Sequence, residues 1–196
     1  MRKCKLIRRI LGIALTVVMV VGMLGGLPAF TSKAEASSAT EIWDWYGLDA
    51  IRENLGGNYV LMDDLDSNTA GYEALASPTA NDGTGWEPIG YAYDPKYRFS
   101  GALNGQGHEI RDLFIHKHTY TEVGLFQSID KEAIIENVGM VNADLTSSVR
   151  SAGGLVAYCM GTISNCYFIG SVTSSGSVGG LVGTNVGNII DSYFTG

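Results

Sequence analysis

Apolar and polar positions alternate with period two in short runs along most of this chain, and the runs recur. Gly153, Gly154, Leu155 and Val156 return as Gly179, Gly180, Leu181 and Val182, a shift of 26 residues. The same shift carries Gly161 to Gly187, Ile163 to Ile189, and Tyr167, Phe168 to Tyr193, Phe194. Weaker copies lie upstream. Gly124, Leu125 and Phe126 precede Gly154, Leu155 and Val156 by 30 residues, and Ile135, Asn137, Val138 and Met140 precede Ile163, Asn165, Cys166 and Phe168 by 28. Ile110, Asp112, Leu113 and Ile115 match Ile135, Asn137, Val138 and Met140 at a shift of 25. Each copy reads apolar, one residue, Asn or Asp, apolar, one residue, apolar. Such alternation argues for strands, and Asn or Asp between them for a bend, because these residues tolerate left-handed backbone.

Recurrence at 20–50 residues signals stacked repeat architecture. These runs carry no helical period and are too short for propeller blades. The expected fold is therefore all-β, a right-handed parallel β-helix of about four coils. Three inward stacks are predicted: Leu125, Leu155 and Leu181; Ile110, Ile135, Ile163 and Ile189; and Met140, Phe168 and Phe194. A helical segment carrying Trp43, Tyr46, Ile51 and Leu55 precedes them, with Asp44 as N-cap and Gly56, Gly57 as its stop. Tyr59 to Met62 reads as a strand. Helix and strand together form a cap, since a β-helix left open at its first coil invites association. Ser67 to Gly85 reads as a loop, and Asp94, Pro95 and Lys96 as a turn. The division is then 1–36 leader, 37–95 cap and loop, and 96–196 β-helix.

The stretch Gly153–Gly196 resembles two tandem GLUG motifs (153–178 and 179–196), a repeat found in bacterial and archaeal surface proteins, including large adhesins. Phe99, Gly101, Leu103, Gly105, Gly107, His108 and Ile110 resemble the first coil that often precedes such arrays. The resemblance implies a repeat architecture and a place outside the cell. It implies no particular activity, because such arrays serve unrelated surface proteins.

The first 36 residues change the picture further. Arg2, Lys3, Lys5, Arg8 and Arg9 precede an apolar run from Ile10 to Leu27, and Ala34 and Ala36 give a small-x-small cleavage pattern before Ser37. This is a signal peptide, and a secreted or cell-surface location follows. The run is close to the ~20 residues that span a bilayer, so an uncleaved anchor is the competing reading. No second such run follows, which argues against membrane insertion of the mature chain. Beyond position 36 the chain holds seven basic and nineteen acidic residues, a balance of −12. That charge disfavours nucleic acid and anionic membranes as partners.

Candidate chemistry is sparse. His108 and Glu109 begin like a zinc peptidase motif, but Asp112 stands where the second His belongs, on a strand instead of a helix. His116 and His118 share a strand face without an evident third ligand. Asp63, Asp64 and Asp66 offer calcium hard oxygens but lack the spacing of a calcium loop, and Asp at a strand end is ordinary turn chemistry. The series Asp112, Asn137, Asn165, Asp191 reads as a ladder at one corner of the coils. Cys159 and Cys166 could bridge in an exported chain, although Cys166 falls at an inward position and packs as a small hydrophobe. Tyr46, Tyr72, Tyr91, Tyr93, Tyr97, Tyr158, Tyr167 and Tyr193 could include a sugar-binding surface, with Tyr167 and Tyr193 stacked on neighbouring coils. No phosphate loop or nucleophile elbow is present.

The expectation is an exported, non-enzymatic, adhesin-like module without cofactor, binding an extracellular protein or glycan or acting as a spacer. The alternatives are a β-helix polysaccharide lyase or hydrolase, or the non-catalytic part of a larger surface peptidase. A carbohydrate-active enzyme would need acidic and basic residues clustered on one outward face across adjacent coils. The last repeat stops at the point occupied by Gly170 in the one before. The array is therefore read as truncated, with end-to-end self-association expected.

Overall fold

The computed structural model describes residues 38–118, 122–148 and 150–196. The predicted leader lies outside the described residues. Strands form in chain order as β1 (Thr40–Ile42), β2 (Asn58–Leu61), β3 (Ala102–Asn104), β4 (Glu109–Arg111), β5 (Phe114–Lys117) and β6 (Phe126–Ile129). They continue as β7 (Ile134–Glu136), β8 (Gly139–Ser147), β9 (Ser151–Gly153), β10 (Val156–Cys159) and β11 (Thr162–Ser164). The last are β12 (Tyr167–Ser174), β13 (Ser177–Gly179), β14 (Val182–Asn185), β15 (Asn188–Ile190) and β16 (Tyr193–Thr195). All pairings between these strands are parallel.

Three long sheets run along the axis. The first has the order β1-β2-β3-β7-β11-β15, the second β4-β8-β12-β16 with β5 also on β8, and the third β6-β10-β14. A short pair, β9 and β13, closes the circuit. The chain is a parallel β-helix with three complete coils beginning at β3, β7 and β11, and a fourth begun by β15 and β16.

The core is largely the predicted one, with one exchange and with Ile189 and Phe194, predicted inward, left 39% and 45% exposed on β15 and β16, the outermost described strands of their sheets. Leu125 and Leu155 are fully buried and Leu181 nearly so, in the register that pairs Phe126, Val156 and Val182. Ile135, Ile163 and Ile189 align as expected, but their partner in the first coil is Leu103, not Ile110. Ile110 pairs with Met140 and so heads the stack of Met140, Phe168 and Phe194. The shift of 25 proposed for this segment is thus wrong; the register there is 30. The mistake also moves Asp112. Asn137, Asn165 and Asp191 do occupy one corner with left-handed backbone (φ 56°, 51° and 47°). Asp112 sits instead at a bend of the second sheet, where the Asn142 amide donates to its Oδ1 (2.7 Å).

Glycine at the repeated Gly154 and Gly180 has a packing reason. A Cβ added at Gly154 would lie 2.0 Å from the Phe168 ring, and one at Gly180 would lie 2.0 Å from Phe194. Each ring lies across the bare backbone of the Gly-Gly-Leu turn that precedes it in the chain, so motif and core stack are one arrangement.

The N-terminal stretch departs most from expectation. Helix α1 (Trp45–Asp49) is capped by Asp44, whose side chain accepts from Gly47 N (2.8 Å), as the sequence predicts. Its inward residues are Trp45 and Leu48, followed by Ile51, whereas Trp43 and Tyr46 are each 55% exposed. The predicted phase was therefore wrong at Trp43 and Tyr46 and right at Ile51. Ser67 to Gly85 is not plain loop. It carries helix α2 (Tyr72–Leu75) and a turn at Ala80–Gly83 with left-handed backbone at Asn81 and Asp82 (φ 50° and 57°), with Tyr72, Ala76 and Ala80 buried. Residues read as a cap also occupy sheet positions. β2 pairs with β3, Leu65 bridges Ile110, and Ile89 bridges Phe126. The stretch is a degenerate coil with a helical insertion, and its core is filled by Trp45, Trp86 and Phe99, all fully buried. Among the described residues no helix is long and apolar enough to cross a membrane.

Candidate functional site

The outer face of the second sheet concentrates the chemistry of the repeats. One column of this face holds Glu109, Gly139, Tyr167 and Tyr193 in register. Gly139 has no side chain, so the Tyr167 ring lies across it; a Cβ there would be 2.4 Å from the ring. The phenol thereby spans a whole coil and donates to Glu109 Oε1. Arg111 pairs with the other carboxylate oxygen from the same strand. Desolvation, reinforced by the Glu109 carboxylate, pushes the Tyr167 phenol up to about 12, so it remains a proton donor at neutral pH. Nearby on the same sheet, His116 Nε2 faces Asp144 Oδ2 at 3.5 Å, and its ring packs on Phe114 with centroids 4.2 Å apart.

Tyr167 and Tyr193 stack as the sequence suggests, with centroids 5.4 Å apart and planes 9° from parallel. That geometry turns the Tyr167 ring onto its neighbours: one face meets Tyr193 and the ring covers Gly139. Stacking therefore covers one face of the Tyr167 ring, while Tyr193 stays 56% exposed. The pair is a ladder that fixes one coil to the next.

Beside it, at the corner between the first and second sheets, lies a groove of about 480 Å³ lined by Asn104, Gln106, Gly107, Asn137, Asn165 and Tyr167. Its amides are linked: Asn137 Nδ2 donates to Asn104 Oδ1 (3.2 Å), and Asn104 Nδ2 donates to Glu136 Oε1 (2.8 Å). Of the expected ladder residues, Asn137 and Asn165 are here and Asp112 is not.

The three aspartates considered for calcium are dispersed among turn contacts. Asp63 accepts from Asp64 N (2.9 Å), Asp64 from Glu109 N (3.0 Å), and Asp66 from Asn68 N (2.8 Å) and Thr69 Oγ1 (3.0 Å). Those bonds from Asn68 and Thr69 hold the Asp66 carboxyl below its usual range. His108 Nδ1 lies 3.2 Å from Asp64 Oδ1, on the turn before β4. His118 is exposed at the end of β5. No group of three or more His, Cys, Asp and Glu placed to hold a metal occurs among the described residues. Cys159 and Cys166 are free and buried, and burial pushes both thiols up to about 11.

The Glu109–Arg111–Tyr167 cluster escaped sequence reasoning. Its members are 58 residues apart at the extremes and meet only because Gly139 leaves a gap between their coils. The signal available was the glycine standing where the next copy has Tyr.

No protein-family model matches the chain, and no solved structure matches it. The chain is similar to halomucin of Haloquadratum walsbyi, at 34% identity over 152 residues, covering 76% of this chain and 2% of that protein. It is also similar to a protein of Evansella cellulosilytica named as a Gly-rich membrane protein, at 34% identity over 122 residues, covering 60% of this chain and 13% of its relative. The chain thus spans a small fraction of the length of both relatives.

Proposed function

We propose that this chain is an exported, non-enzymatic, adhesin-like β-helix module of a cell surface, built on GLUG-type repeats, that binds extracellular partners or spaces them from the cell. The observation that carries this reading is how the polar side chains of the coils are used. Tyr167 is held on Glu109, Asn142 on Asp112, and Asn137 on Asn104. Each bond joins one coil to another, so these groups act as ties along an extended rod. Both relatives are far longer than this chain, and one is named as a membrane protein, which supports a surface location and a modular role. Brief protease treatment of intact cells should remove the domain while cytoplasmic markers persist. Complete protection of the domain in intact cells would end the surface reading.

A carbohydrate-active enzyme is the second reading, because Glu109, Arg111 and Tyr167 do form an acid–base cluster across coils on one outward face. The raised phenol counts against it: a Tyr that stays protonated to about pH 12 is a poor base at neutral pH. A turnover assay on uronate and neutral polysaccharides decides. Cleavage abolished by Glu109→Gln or Tyr167→Phe would establish the enzyme reading over the binding one.

A further inference from the structure

The seven basic residues after position 36 are unevenly placed. Four of them (Arg52, Lys96, Arg98 and Arg150) lie in the loop from Gly90 to Arg98 or line the grooves beside it. The loop is closed by Tyr91 N donating to Tyr97 O (2.7 Å) and by Asp94, whose side chain accepts from Lys96 N (3.0 Å) at a 3₁₀ turn, Pro95–Tyr97. It holds Tyr91, Tyr93 and Tyr97 at 45%, 47% and 48% exposure. Tyr91 and Tyr93 meet edge to face, centroids 5.4 Å apart and planes at 61°.

Two grooves flank the loop. One, of about 260 Å³, is lined by Arg52, Leu55, Gly90, Tyr91 and Tyr97. The other, of about 340 Å³, is lined by Ala92, Tyr93, Arg98, Glu122, Arg150 and Tyr158. The cations are fixed against their surroundings. The Arg150 guanidinium lies 5.1 Å from the Tyr93 centroid and Lys96 Nζ 5.3 Å from that of Tyr97. Arg98 donates to Ala92 O (2.8 Å), and Arg52 to Asp49 and to the carbonyls of Glu87 and Pro88. Four carboxylates accompany them: Asp49 on Arg52, Asp94 in its capping role, Glu122, which is 6% exposed and receives a bond from Gln127, and Glu87, which is paired with Lys117. With Lys117 counted, five cations against four carboxylates leave this face slightly positive on a chain of balance −12.

We infer that the Gly90–Arg98 loop and its two grooves bind an anionic polysaccharide, one bearing carboxylate or sulfate groups. The half-exposed tyrosines offer flat apolar faces to the C–H side of sugar rings while their hydroxyls stay in water. The guanidiniums present planar, preorganised donors to carboxylate or sulfate. Tyr and Arg are also the residues that concentrate binding energy at interfaces. A net-acidic chain repels polyanions elsewhere on its surface, so attraction at this face fixes where such a ligand docks. The inference rests on the extracellular reading above and names its ligand class.

Isothermal titration calorimetry of the purified protein tests it with three probes: alginate oligosaccharides, dextran sulfate, and unmodified dextran. Binding to at least one polyanion and none to dextran is expected, and whichever polyanion binds identifies the acidic group recognised. Tyr97→Ala and Arg150→Asn should each weaken binding about tenfold. Asn is chosen because position 150 has φ 50°. Lys131→Gln, an equal loss of charge at a residue that lines neither groove, should change it less than twofold. Circular dichroism checks that each variant is folded, and the exposed Lys96→Gln replaces any that is not. The inference is overturned if neither polyanion binds, if dextran binds as well, or if Lys131→Gln weakens binding as much as Arg150→Asn. Failure here leaves surface accessibility to proteases unaffected, so the two ideas fall separately.

Discussion

The coils from Ile134 to Asn185 and the stretch from Thr40 to Phe99 build the same sheets by different means. The coils use short side chains and glycine at fixed places, so that successive turns meet in register and rings such as Phe168 lie across bare backbone. The N-terminal stretch holds parallel register with the coils at β2, Leu65, Ile89 and Phe99. It fills the remaining space with large aromatics, Trp45 packing on Trp86 and on Tyr72 with centroids 5.8 Å apart. Trp86 Nε1–H then reaches back to Leu125 O (3.2 Å), and the buried Lys117 ties the first coil to Thr84 Oγ1 (2.8 Å) and Glu87. Repetition is needed where a coil must match neighbours on both sides. At a boundary, volume and satisfied polar groups suffice, and the sequence is free to drift.

The comparison would break most visibly at Leu155. It is fully buried, and a carboxylate there forfeits about 1.5–3 kcal/mol of burial and adds an unpaired charge. Leu155→Asp should unfold the coils, seen as loss of the β signal in circular dichroism. Ser164→Asn, on the outer side of β11, should stay within about 0.5 kcal/mol. Equal effects would mean the inward phase is misassigned.

Trp86→Ala asks whether the N-terminal stretch shares the coils' core. A cost of about 3–5 kcal/mol is expected within one cooperative denaturant transition. A separate early transition would show that the stretch folds as its own unit.

Gly139→Ala sharpens the role of glycine between coils. The added methyl meets the Tyr167 ring and should cost about 1–3 kcal/mol. Most of that should vanish in a Tyr167→Ala background, which removes the ring; an unchanged cost would place the strain elsewhere.

The smallest effect is alkaline. Cys159 and Cys166 are raised from 9.0 to about 11, and Tyr167 from 10.0 to about 12. A group raised on folding favours the native state fully below its unfolded value and loses that contribution as pH climbs through the folded one. Stability should hold to about pH 9 and fall between about pH 9 and pH 12. Tyr167→Phe should flatten only the upper part of the fall. A melting temperature unchanged up to pH 12 would contradict the burial of these groups.

Much of this was legible in the chain because it is local. Period-two alternation, the Asn or Asp at each bend and the 26-residue return from Gly153 require only neighbouring residues to agree. Inward positions from Leu125 to Phe168 therefore came out correctly, and so did the Asp44 cap. Ile110 and Asp112 failed for a definite reason: their pattern matches Ile135 and Asn137 as well as it matches anything. Only hydrogen bonding to β8 places Ile110 on Met140 and Asp112 on Asn142.

Sequence alone determined that short strands must stack, where they bend and which face goes inward, because side-chain alternation and left-handed bends are properties of single segments. Tertiary structure decided which coil each early segment joins, which turn of helix faces the core, and which tyrosines lie open. Those outcomes depend on insertions between segments and on gaps such as Gly139 left by another coil. No stretch of residues records, on its own, what will be packed against it.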